Sequence, residues 1–138
     1  MKKYIKWIFV LLWMILVFVL SSESGRESIQ TSHFYVDKIL HLFPFISIEW
    51  VTFLVRKFAH FFLYFVLGIL VSNASNGKNK RWMKFSFLIC FLYACTDEFH
   101  QLFVIGRSGE LKDVFWDGFG SGVGIYLYHW FCKKKMVY

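Results

Sequence analysis

Arg56, His60 and Tyr64 follow one another at intervals of four, as do Tyr93, Asp97 and Gln101, and again Asp113 and Asp117. Four residues carry an α-helix about 40° past one full turn, so each set lies on one face of its own helix. Their types are those of acid–base and anion-binding chemistry. An imidazole serves as general base or acid when nearby carboxylates tune it. His60 and His100, with Asp97, Glu98 and Asp113, are therefore the candidate catalytic groups. Guanidinium groups bind phosphate or carboxylate through two parallel N–H bonds. Arg56 and Arg107, with Tyr64, Gln101 and Asp117 beside them, are the candidate ligand-binding residues.

Other chemistry has less support. Histidine with carboxylates can hold a divalent metal, but the spacing matches no H-E-x-x-H or comparable motif. No metal and no cofactor is expected on that ground. Covalent catalysis lacks a G-x-S-x-G or Cys–His signature. Cys90, Cys95 and Cys132 form an odd set without C-x-x-C spacing and read as packing residues.

These residues must be held by helices in a membrane. Of 138 residues, 57% are hydrophobic and 22% aromatic, with a mean hydropathy of +0.49. A soluble domain of this size cannot hide so much apolar surface. Apolar stretches run over Ile5–Leu20, Ile48–Val71, Trp82–Leu102 and Asp113–Phe131. The fold class is all-α: an integral bundle of four transmembrane helices forming a single domain over residues 1–138. Ser21–Ser32 reads as an exposed outer loop. His33–Phe43, before Pro44, reads as a short interfacial helix on the outer side.

Charge orients the bundle. The chain ends and the Asn73–Arg81 loop hold Lys2, Lys3, Lys6, Lys78, Lys80, Arg81, Lys84 and Lys133 to Lys135, and no carboxylate. All nine acidic residues fall on the other side. An even number of spans with the basic residues gathered inside satisfies the positive-inside rule, which puts both termini in the cytoplasm. The formal charge of +7 thus belongs to orientation and lipid headgroups; no basic stripe suits nucleic acid. Met1–Leu20 resembles a signal peptide without a suitable cleavage pattern, and reads as a retained first helix.

Uncharged runs such as Phe58–Ser72 and Gly118–Cys132 are short for a span, so the polar residues must enter the outer membrane boundary. Lys57 and Lys112 read as snorkelling anchors, and an Arg56 pair with Asp97 or Asp113 would only staple helices. So many ionisable groups at membrane depth are costly to keep for stability alone. Gly120 and Gly124 continue the Asp113–Asp117 face, and small residues at that spacing let helices approach closely. An inward-facing outer pocket is expected.

Three motifs resemble the VanZ-like family of small polytopic envelope proteins, named for one linked to teicoplanin resistance. They are Arg56-Lys57-x-Ala59-His60-Phe61-x-x-Tyr64-x-x-Leu67-Gly68, Asp97-Glu98-x-His100-Gln101-x-Phe103-x-x-x-Arg107 and Asp113-Val114-x-x-Asp117-x-x-Gly120. The stretch Ser21-Ser22-x-Ser24-Gly25-x-x-Ser28 resembles the family's serine-rich outer loop, and the likeness runs from Ser21 to Gly124. Leu63 departs from it, standing where many relatives carry Glu before the tyrosine. The resemblance implies an envelope protein with a role in glycopeptide resistance; it supplies no reaction. The expected partners are membrane lipids or a lipid-linked envelope component, bound at the outer face. An integral membrane enzyme working on a lipid-linked substrate is the alternative. A proton-coupled transporter needs polar groups through the membrane centre, and Phe65–Val71 and Phe85–Leu92 are almost wholly apolar.

Overall fold

The computed structural model describes residues 3–24, 35–42, 45–75, 79–107 and 109–134. Within them the chain is all-helical: α1 Lys3–Ser21, α2 at 35–42, α3 Ile48–Ala74, α4 Lys80–Gln101 and α5 Leu111–Lys134. The four long helices match the expected apolar stretches and overrun most of their ends. α1 and α3 are long and apolar enough to cross a membrane. α4 and α5 fall short of that measure. Lys84, Asp97 and Glu98 interrupt α4, while glycine, tyrosine and tryptophan dilute the hydropathy of α5.

α3 is the centre of the bundle, packing against α1, α4 and above all α5. The closeness of α3 to α5 comes from three glycines. A Cβ on Gly68 would meet the Ser121 carbonyl, one on Gly120 the Phe61 carbonyl, and one on Gly124 the Phe65 carbonyl. Backbone therefore touches backbone, as the spacing predicted. The core gathers Val10 and Val17 from α1, Tyr64, Leu67, Val71 and Ala74 from α3, Cys90 and Ala94 from α4, and Val114 from α5.

Polar contacts tie α1 to its neighbours. Trp13 Nε1 donates to the Leu63 carbonyl at 2.9 Å and Tyr93 Oη to the Met14 carbonyl at 2.6 Å. Lys6 Nζ reaches the Asn73 carbonyl and Oδ1 at 3.1 and 3.0 Å. Asn79 caps α4, accepting from the backbone N–H of Arg81 and Trp82. Gly106, with φ of 75°, makes the left-handed turn that redirects the chain towards α5.

Two expectations need correction or restriction. Ser21 does not open an exposed loop: it is the last residue of α1, buried, and accepts from Gln101 Nε2 at 3.0 Å. The serine-rich stretch from residue 25 onward lies outside the described residues. A short helix is seen at 35–42, with Val36 buried and Tyr35 and Leu42 exposed; its expected ends at His33 and Phe43 lie outside the described residues.

Candidate functional site

One end of the bundle carries the chemistry. There the start of α3, the end of α4 and the start of α5 enclose a cavity of about 450 Å³ lined by Arg56, Lys57, His60, Gln101, Arg107, Glu110, Asp113, Trp116 and Asp117 among others. Six of the ten candidate residues line it: Arg56, His60, Gln101, Arg107, Asp113 and Asp117.

Beneath the cavity three helices each contribute one residue to a buried cluster. The donor atoms of His60 on α3, Asp97 on α4 and Asp117 on α5 all lie within 4.8 Å of one another. His60 Nδ1 stands 3.6 Å from Asp117 Oδ2, an ion-pair distance but too long for a hydrogen bond. Tyr64, fully buried one turn beyond His60, donates to Asp97 Oδ2 at 3.2 Å. His60 Nδ1, Asp97 Oδ1 and both Asp117 oxygens have no hydrogen-bond partner in the structure. Glu98 is also buried; its Oε2 accepts the Glu110 N–H at 3.0 Å and its Oε1 has no partner.

The rim is basic. Arg107 is held over the end of α1, its Nε donating to the Glu23 carbonyl at 3.0 Å and its Nη2 reaching the Leu20 carbonyl at 3.5 Å. Burial, and next the charge of Arg56, hold its guanidinium below the usual arginine pKa. Two guanidiniums thus share one cavity. Arg56 makes no ion pair with Asp97 or Asp113, so a staple of that kind is absent among the described residues.

Lys57 corrects its reading as a snorkelling anchor. Its Nζ pairs with Asp113 Oδ1, and its carbonyl accepts Trp116 Nε1 at 2.9 Å. The signal was present: Lys57 lies three residues before His60 and therefore shares its face. Lys112 borders a neighbouring groove instead. His100 is corrected in the other direction. Its Nε2 lies 3.0 Å from Ser22 Oγ and its ring packs 4.4 Å from that of Phe18, so it faces α1 and does not line the cavity. Glu110 and Trp116, missed in the sequence, also line the cavity. For Trp116 the signal was present, since it lies three residues past Asp113 on α5 and shares its face.

No curated protein matches the chain, and no solved structure does. A family model, VanZ/LLP1, matches residues 6–132 and takes in every residue of the cavity and the buried cluster. The chain therefore belongs to the VanZ-like (VanZ/LLP1) family.

Proposed function

We propose that this chain is a multi-pass cell-envelope protein that binds an anionic envelope component, a lipid or lipid-linked headgroup, at Arg56 and Arg107 in its cavity. In this reading α1, α3, α4 and α5 all cross the membrane, both termini are cytoplasmic and the cavity opens at the outer face. Exposed apolar side chains support it. Leu11, Ile15 and Val19 on α1, Phe58 and Phe62 on α3, Leu88 and Leu92 on α4, and Phe115 and Phe119 on α5 are all turned outward. Surface of that kind on every long helix suits lipid contact. The observation that carries the ligand class is the sharing of one cavity by Arg56 and Arg107, two like charges that an anion would reconcile. Family membership supports a contribution to glycopeptide resistance of the teicoplanin type.

Thermal unfolding of the full chain in a neutral detergent tests the ligand class. Phosphatidylglycerol or a lipid-linked wall precursor should raise the melting temperature, and phosphatidylcholine should not. A ligand at a hundredfold excess over its Kd adds about 2.7 kcal/mol. Arg56→Ala and Arg107→Ala should each lose most of that shift. Equal shifts in all three proteins would remove the pocket.

One observation favours a second reading, an integral membrane enzyme. His60 lies at the cavity floor with two buried carboxylates behind it, an arrangement suited to moving a proton. A change in the mass of the bound lipid, lost in His60→Ala, would select it; binding without turnover would reject it.

A further inference from the structure

The buried cluster beneath the cavity has more acceptors than the protein supplies donors. Asp117 is fully buried, its side chain wholly shielded, and neither of its oxygens has a hydrogen-bond partner. Asp97 is buried too; Tyr64 serves one oxygen and leaves Oδ1 unserved. His60 Nδ1 is a fourth atom without a partner, and it faces Asp117. Unserved buried polar atoms are rare because each carries a desolvation penalty. Four of the six such side-chain atoms in the described residues belong to these three side chains.

Charge points the same way. No lysine or arginine pairs with the cluster: Lys57 is committed to Asp113, Arg107 to the carbonyls of Glu23 and Leu20, and Arg56 lines the cavity without an ion pair to Asp97 or Asp117. A protonated His60 would answer one carboxylate and leave the other. Water can donate to the oxygens but cannot neutralise them. A divalent cation does both at once, and buried carboxylates are characteristically paired or bound to metal.

We propose that His60, Asp97 and Asp117 form a binding site for one divalent transition-metal ion, Zn²⁺ or Mn²⁺, at the floor of the cavity. An imidazole nitrogen with two carboxylates suits those ions better than Mg²⁺ or Ca²⁺, which prefer oxygen alone. Neighbouring ligand atoms about 2.1 Å from a tetrahedral ion stand roughly 3.4 Å apart. The donors lie within 4.8 Å of one another, so closing on the ion asks each side chain to move inward by up to about an ångström. Tyr64 acts on the ion through Asp97: its hydroxyl orients the carboxylate so that Oδ1 points at the ion. His60 and Asp117 border the cavity, so the remaining coordination positions open towards it.

The site is independent of the headgroup reading, because metal is titrated without lipid. Full-length protein in a neutral maltoside detergent is stripped with chelator, incubated separately with ZnCl₂, MnCl₂, MgCl₂ and CaCl₂, desalted and analysed for metal, with thermal unfolding alongside. One Zn²⁺ or Mn²⁺ per chain and a raised melting temperature are expected. Asp97→Asn, Asp117→Asn and His60→Gln should each weaken binding by about tenfold or more, and Tyr64→Phe by about tenfold. His41→Gln, at an exposed position on α2, should bind as wild type does. Stripped Asp117→Asn should melt no lower than stripped wild type, since it removes an uncompensated charge; a purely structural ion pair predicts a fall. Retention of no ion by the wild type, preference for Mg²⁺ or Ca²⁺, or undiminished binding in both Asp variants would overturn the site. Should one variant fail to fold, the wild-type metal content and the others still decide.

Discussion

Lys57 and Asp113 form a contact at the cavity wall whose two side chains are each a little over one-fifth exposed, at 23% and 22%. Pairs with that access to water are screened and contribute little. Lys57→Ala, Asp113→Ala and the double variant should give a coupling below about 1 kcal/mol in a thermal or denaturant cycle. The pair matters more for placement, because Trp116 donates to the Lys57 carbonyl and borders the same cavity. Removing Lys57 should therefore weaken binding of an anionic lipid more than it lowers stability. A coupling of several kcal/mol would contradict a pair with this access to water. His60, Asp97 and Asp117 sit under the opposite regime, where burial makes each unserved atom costly.

At the scale of the helix, α5 owes its position to which of its glycines face a neighbour. Gly124 presses on the Phe65 carbonyl, whereas a Cβ on Gly122 would lie 3.8 Å from the Phe87 ring, an ordinary contact. Gly124→Val forces α3 and α5 apart and should cost about 3 kcal/mol. Gly122→Ala should be neutral or stabilise by up to ~1 kcal/mol through helix propensity. Melting temperatures of the two variants check this directly, and the opposite order would exclude the close α3–α5 approach. Because Asp117 is carried on the same helix, Gly124→Val should also weaken whatever the cluster binds.

Taken whole, the molecule separates into two ends. One holds the cavity and the carboxylates; the other holds Lys6, Asn73 and Tyr128, the last donating to Asn73 Oδ1 at 3.2 Å. Reading the basic end as cytoplasmic predicts that a fluorescent protein fused after Tyr138 glows and a periplasm-dependent reporter at the same place stays inactive. A reporter inserted beside Ser24 should behave oppositely. Identical behaviour at both positions would reject an even number of spans.

The pattern of residues by itself determined that the chain is helical, where the long helices run, and which polar residues share a face. Those are properties of one helix at a time, set by periodicity and by the density of apolar side chains. The departure at Leu63 was also legible; its place is apolar packing, with its carbonyl serving Trp13. Only the tertiary structure decided which faces meet. Spacing fixes the direction of a side chain around its own axis but not the rotation and depth of one helix against another. Backbone contact at Gly68, Gly120 and Gly124 sets these for α3 and α5. For that reason Asp113 met Lys57 rather than Arg56, His100 turned to α1, and only the packing chose His60, Asp97 and Asp117, from the candidates that spacing offered, as the three whose donor atoms gather.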